Sequence, residues 1–199
     1  MNVALEGHRP ALLLVDLQEL FTRADGPFAN TGGSALIEAV NVLLDGWRAT
    51  RLPLLVSSYA LRPDGLDAGL LRDHPVVREG LFAAGGEWTR VDRRLRLPAG
   101  TPQLVRNRPS AFWGGELDAV LRGLAVDALV LCGLSVNNAL SATARDAFAR
   151  DLPCVVVRDA SGAAPGETHL DVYFAILDTW TAAVLETPAL LAALRGAGP

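Results

Sequence analysis

The chain has 199 residues, of which 50% are hydrophobic and 20% charged, the composition of a folded protein with a sizeable core and not of a disordered segment. Its formal net charge is -4 and it has no basic run, which argues against a nucleic-acid partner. No apolar run approaches the roughly 20 residues of a membrane-spanning helix, and the first residues lack a positively charged leader before an apolar stretch. These features predict a cytoplasmic protein forming one domain over residues 1–199, without a membrane association.

All 18 basic residues are arginine, so lysine chemistry is excluded. The two cysteines, Cys132 and Cys154, fall in apolar segments where a reduced, inert thiol is expected.

In chain order, the aliphatic run 11–15 reads as a central parallel strand buried on both faces, with Asp16 at its carboxyl end. Residues 26–33 form a turn-rich loop, and Ser34 is expected to cap a helix whose apolar positions Leu36, Ile37, Val40, Leu43, Leu44 and Trp47 recur at helical spacing. A second strand over 54–57 runs into Ser58 and Tyr59. From 61 to 102 glycines and prolines interrupt every pattern, which predicts a long excursion over one face, a binding loop or lid. A short strand at 103–105 and a helix at 115–123 follow.

The stretch 128–160 organises the rest. It holds an apolar strand (128–132), a turn opening at Gly133, a helix from about Asn138 to Arg150 and a second apolar strand (154–157), a βαβ unit with parallel strands. A helix at 168–177, a strand at 182–185 and a helix at 188–195 with Pro188 in its first turn complete the chain. Alternating strands and helices predict an α/β, three-layer α/β/α sandwich with a mostly parallel central sheet. In such sheets ligands gather at the carboxyl ends of strands, where both Asp16 and the 133–138 turn lie.

Each candidate residue has two readings. Asp16 is either a satisfied carboxylate at a strand end or a functional acid. Ser135, Asn137 and Asn138 are expected first as helix caps; the same turn also offers backbone N–H groups and a positive helix end to an anionic group. Phe21, Tyr59, Phe112 and Trp113 read as core or pocket wall, His74 and His169 as core or surface, and His8 as part of a mobile terminus. No phosphate loop, dinucleotide fingerprint or ligand cluster is present, so no cofactor and no metal are expected.

Three separate stretches, LLLVDLQELF, VRNRPSAFWGGELDAVLRGL and LVLCGLSVNNALSATARDAFARDLPCVVVRDA, resemble the isochorismatase-like hydrolase superfamily. That superfamily includes nicotinamidases, N-carbamoylsarcosine amidases and isochorismatases, and the resemblance implies its Rossmann-like fold. It is weakest between 61 and 102. It implies that Asp16 is the family's aspartate, with Gln18 and Phe21 at the usual spacing. The family's lysine lies six residues before the phenylalanine of the Ser-Ala-Phe triplet, a position held here by Arg106. Its cysteine nucleophile lies six residues after the turn glycine and four before the threonine; Gly133 and Thr143 both lead to Ala139. Arg108 matches a common family arginine and reads as framework. The Ser57-Ser58-Tyr59 stretch lacks the clustered acids and histidines of metal-binding nicotinamidases, and association into homodimers or higher homo-oligomers is implied.

Without a thiol at position 139, amide hydrolysis through a thioester is disfavoured. Arg106 retains the charge but cannot exchange a proton near neutral pH; it can clamp a carboxylate, that of Asp16 or of a substrate, in a bidentate fork. The leading expectation is therefore an enzyme using Asp16 as general acid/base and Arg106 for charge, with Gln18, Phe21, Tyr59, Trp113, Ser135, Asn137 and Asn138 binding a small, anionic or cyclic substrate. Ether hydrolysis of the isochorismatase type and a lyase, isomerase or cyclase step in a biosynthetic pathway are equally allowed. The alternatives are a catalytically retired homologue that binds a ligand or partner, and a hydrolase with Ser135 or Ser141 as substitute nucleophile.

Overall fold

The computed structural model describes residues 5–29, 32–163 and 166–196. Its centre is β1 (Pro10–Val15), in which every residue is buried. Side chains of a strand alternate between faces, so Ala11, Leu13 and Val15 enter one core while Leu12 and Leu14 enter the other. An all-aliphatic strand can be satisfied only where both faces are covered, which places β1 mid-sheet.

Around it the six strands are all parallel, in the order β3-β2-β1-β4-β5-β6. They are β2 (Leu54–Tyr59), β3 (Gln103–Arg106), β4 (Ala128–Gly133), β5 (Cys154–Ser161) and β6 (Ala183–Leu185). Two short helices, α1 (Glu19–Thr22) and α3 (Pro75–Arg78), belong to the loops. One face is covered by α2 (Gly33–Arg48) and α7 (Thr187–Gly196), through Leu36, Ile37, Val40, Leu43, Leu44, Trp47 and Leu190. The other is covered by α4 (Glu116–Gly123), α5 (Ser141–Phe148) and α6 (Leu170–Trp180), through Leu117, Leu121, Ala144, Ala147, Phe174 and Leu177. The three-layer architecture expected from the alternation is the one observed.

Several local expectations shift. Ser34 does not cap α2: the helix opens at Gly33, and the Ser34 hydroxyl accepts instead from Arg94 Nη1 at 2.9 Å. The helix expected from Asn138 begins as a π-helical turn (Val136–Leu140) and becomes α-helical only in α5. The helix expected over 168–177 starts at Leu170 and reaches Trp180. β5 extends to Ser161, because after a register shift it continues beside Gly133.

The strand order positions the site. From β1 the chain steps outward through β2 to β3, then returns to β4 on the opposite side of β1. Connections on the two sides leave in opposite directions, opening a crevice at the carboxyl ends of β1 and β4. The 61–102 excursion closes over these ends and is tied down by backbone bonds: Leu61 N–H to Phe82 O (2.8 Å), Glu19 N–H to Arg90 O (2.9 Å) and Asp92 N–H to Leu17 O (2.9 Å). The buried Asp92 carboxylate reinforces it, accepting from Thr22 Oγ1 at 2.5 Å and from Arg94 Nη2 at 2.6 Å.

Candidate active site

Asp16 leaves β1 with a left-handed backbone (φ 51°) and donates its N–H to Ser57 O at 2.9 Å. Its side chain is 8% exposed; Oδ2 accepts from Arg106 Nη2 at 2.8 Å, while Oδ1 is buried without a hydrogen-bond partner. Arg106 is also buried, and its Nε and Nη1 have no acceptor. A single bond therefore replaces the expected bidentate fork. Arg106 stands on β3, two strands from β1, and only the tip of its side chain spans the roughly 10 Å between them.

Burial pushes the Asp16 carboxyl above its ordinary range, and the charge and hydrogen bond of Arg106 offset only part of that. The group accordingly holds its proton to a higher pH than a solvated aspartate.

The second half of the site is the turn after β4. Gly133 has φ 114°, and a Cβ there would stand 2.1 Å from the Val15 carbonyl oxygen, so only glycine lets β4 end so close to β1. Leu134 N–H then donates to Val15 O at 2.8 Å, the Leu134–Ser135 peptide bond is cis, and the N–H groups of Asn138 and Leu140 donate to Ser135 O at 3.0 and 3.1 Å. The expected helix-capping role of the Ser135 side chain is not observed: it makes no capping bond and lies on a cavity wall. Asn138 joins it there; Asn137, half-buried, does not.

A cavity of about 740 Å³ opens between these two halves and the excursion. Asp16, Arg106, Phe21, Tyr59, Ser135, Asn138 and Ala139 line it, so the fold gathers residues from four separate stretches of chain. Besides Asn137, two expected contacts lie elsewhere. Gln18 is fully buried behind the wall, donating to Tyr59 O (2.9 Å) and Thr89 O (2.8 Å) and accepting from Tyr59 N–H (3.0 Å). It braces the end of β2 to the excursion. Trp113 is 55% exposed outside the cavity, its ring 5.5 Å from the Arg108 guanidinium.

The sequence reading missed Phe28, Phe82, Leu70, Leu71 and Arg108, all of which line the cavity. Phe21, Phe28, Phe82 and Tyr59 form one aromatic surface, with centroid separations of 5.1 to 6.4 Å. Phe28 and Phe82 come from irregular segments with no periodicity to expose them, and Arg108 carried a framework reading. Burial raises the Tyr59 phenol above its ordinary value despite the nearby Arg108 and Arg106, so at neutral pH it is a hydrogen-bond donor.

The chemistry available follows from this inventory. Ala139 is 2% exposed and presents a methyl group; its carbonyl accepts from Thr143 Oγ1 (2.8 Å), which in turn accepts from Ala111 N–H (3.0 Å). Cys132 and Cys154 are buried in strands, and burial drives the Cys132 thiol far above its ordinary value and that of Cys154 up to about 12. Neither is a thiolate at neutral pH. Ser141 is buried with its hydroxyl donated to Val136 O, and no histidine lines the cavity beside Ser135. Among the described residues no three His, Cys, Asp or Glu side chains gather as a metal would require, and no helix is long and apolar enough to cross a membrane.

Comparison with known proteins agrees with this architecture. The chain is 26% identical over 172 residues to N-carbamoylsarcosine amidase from Arthrobacter sp., an overlap of 84% of this chain and 65% of that protein, so the chain spans about two thirds of that relative's length. An isochorismatase family protein from Desulfovibrio vulgaris subsp. vulgaris superposes with a TM-score of 0.86 at 31% identity, over 95% of this chain and 100% of that one. A cysteine hydrolase from Pseudomonas syringae pv. phaseolicola reaches 0.88 at 22% identity, over 100% and 96%, a likeness of fold alone. The model of the isochorismatase domain matches residues 10–187, from the first residue of β1 to the first residue of α7. With Asp16, Arg106 and the turn after β4 all inside that match, the chain belongs to the isochorismatase family of hydrolases.

Proposed function

We propose that the protein is an enzyme that uses Asp16 as a general acid/base on a small, anionic or cyclic substrate, without a covalent intermediate. The observation that carries this is Asp16 itself, a buried carboxyl with a raised pKa on the wall of an open cavity, one oxygen held by Arg106 and the other without a partner. The resemblance places the family's nucleophile at position 139, and the alanine there removes the thioester route that cysteine hydrolases use.

An enol ether is the nearest substrate model. Asp16 would deliver its proton to the terminal carbon of the double bond; water would add to the resulting oxocarbenium carbon beside the newly formed carboxylate; and the hemiketal would collapse to a keto compound and an alcohol. The same proton transfer suits a lyase, isomerase or cyclase step in biosynthesis. In this reading Tyr59, Ser135 and Asn138, which line the cavity, hydrogen-bond the substrate, and Phe21 packs against it. The same reading has the protein act in the cytoplasm as a homodimer or higher homo-oligomer. The uncharged, exposed Val172, Ile176 and Trp180, which follow at four-residue spacing along α6, support self-association, and light scattering on the purified protein tests it.

The chemical test incubates the purified protein with isochorismate and other enol ethers of ring acids, followed by proton NMR. Asp16→Asn should lower kcat/KM by about 10²- to 10⁴-fold, with no covalent adduct seen by mass spectrometry. Undiminished turnover in Asp16→Asn, or a trapped adduct on Ser135, would overturn the proposal. Absence of any conversion would favour the retired homologue.

A further inference from the structure

The excursion from 61 to 102 is not fastened evenly. Its later part carries the buried side chains of Thr89, Asp92 and Leu95 and is bonded to α1 and α2, by Glu19 N–H to Arg90 O (2.9 Å) and Arg94 Nη1 to Ser34 Oγ (2.9 Å). Residues 69–81 are the reverse, for none of them is buried. Their hydrogen bonds stay local, as in His74 N–H to Leu71 O (2.9 Å), Glu79 N–H to Pro75 O (2.8 Å) and Leu81 N–H to Val76 O (3.1 Å). Their ion pair, Arg78 with Asp73, is local too. Among the described residues no hydrogen bond or ion pair ties 69–81 to the sheet or to a helix that covers it. The segment's own regular structure is a 3-10 turn of 3 residues (Gly69–Leu71) and the 4 residues of α3, too short to stand without packing.

This strap hangs between two fixed posts. Before it, the Asp67 carboxylate accepts from Arg62 N–H (2.9 Å) and the Asn107 side-chain amide (3.1 Å), and the Asp67 carbonyl accepts from Arg108 Nη1 (2.9 Å). After it, Leu61 N–H donates to Phe82 O and Leu61 O accepts from Ala84 N–H, both at 2.8 Å. Just inside each post stands a glycine with a left-handed backbone, Gly69 (φ 58°) and Gly80 (φ 71°). A segment anchored at its ends and unattached between them opens at little cost in free energy.

What the strap carries gives its motion a direction. Leu70 and Leu71 line the cavity yet are exposed, Leu70 completely. Phe21, Phe28, Tyr59 and Phe82 line the same cavity as one aromatic surface. Folding the strap inward removes two leucines from water against those rings and disturbs neither post.

We propose that residues 69–81 form a lid, hinged at Gly69 and Gly80, that closes Leu70 and Leu71 onto the aromatic wall and controls entry to and release from the cavity. The later part of the excursion is the frame against which the lid moves. The lid goes beyond the acid/base reading and requires no particular reaction.

Two measurements on the free protein test it. In hydrogen exchange, the amides of 69–81 should exchange at least about a hundredfold faster than those of Glu19 and Asp92, which bond across the excursion. Carbon-13 relaxation dispersion on labelled leucine methyls reads the closure itself. Leu70 and Leu71 should exchange on the microsecond-to-millisecond scale with a minor state shifted upfield in the proton dimension, the ring-current signature of methyls lying over aromatic faces. Phe82→Leu should shrink that shift. Leu70→Ser should lower the minor-state population read at Leu71 by at least about tenfold, since it removes half of the apolar gain. The same change should move Tm by no more than about 2 °C, because an exposed side chain supports nothing in the open form. Protection of 69–81 equal to that of Glu19, flat dispersion at both leucines, or a minor state without an upfield shift would each overturn the proposal. None of these readouts uses turnover, so failure of the acid/base reading is seen separately.

Discussion

At the residue scale the behaviour of Asp16 is a contest between burial, which favours its neutral form, and Arg106, which favours the charged one. Burial wins, because Arg106 makes a single bond and leaves Oδ1 unpartnered. As a general acid Asp16 must be protonated, so kcat/KM should be level at low pH and fall as pH rises through a pKa above the ordinary carboxylate range. Arg106→Met removes the cation bonded to it and should move that falling limb to higher pH. The linkage has the same sign for stability. A carboxyl whose folded-state pKa is raised contributes stability that is present below its unfolded value and lost as pH climbs through the folded one. Urea midpoints of Arg106→Met should therefore fall further below wild type at pH 8 than at pH 5. Asp16→Ala should cost about 3–5 kcal/mol at a pH where Asp16 is ionised, because it strands the buried Arg106 guanidinium without its partner.

At the scale of elements, the cavity wall depends on how the excursion is fastened to the sheet. Gln18 does this by joining the end of β2 at Tyr59 to Thr89 through three hydrogen bonds while remaining outside the cavity. Gln18→Leu would leave buried backbone groups unpaired, at about 1–3 kcal/mol each. Its expected signature is faster hydrogen exchange at the Tyr59 amide, with KM rising more than kcat falls, since the ring wall moves while Asp16 and Arg106 stay on their strands. Unchanged exchange at Tyr59 would show that the excursion is held by its other bonds alone. The resemblance gave Gln18 a family position, but spacing cannot distinguish a side chain that lines a pocket from one that braces the strand behind it. Trp113 illustrates the reverse error, since an aromatic side chain next to the buried Phe112 turns out to solvent.

At the scale of the whole molecule, cohesion comes from two apolar cores on either side of one sheet. The surface ion pairs add little. Arg62–Asp64, Arg78–Asp73 and Arg158–Asp171 are all substantially exposed, where water and salt screen the attraction and the ordering of two long side chains offsets it. Raising sodium chloride from about 0.05 to about 1 M should accordingly shift Tm by no more than about 4 °C. A larger fall would mean that the arginine pairs carry stability assigned here to the cores.

Local patterning was sufficient for the architecture. Aliphatic runs such as 11–15 and 128–132 can be buried only in a covered parallel sheet, and helical periodicity marked the faces that cover it. The same reading placed Asp16 at a strand end and an alanine at position 139. What the tertiary structure decided is which distant residues meet. Arg106 reaches Asp16 across an intervening strand, Phe28 and Phe82 arrive from loops without periodicity, and Arg108 faces a cavity instead of serving as framework alone. The raised pKa of Asp16 belongs with these, because burial and charge depend on neighbours some 90 residues away in sequence, and local periodicity records which side of an element is buried but not what it is buried against.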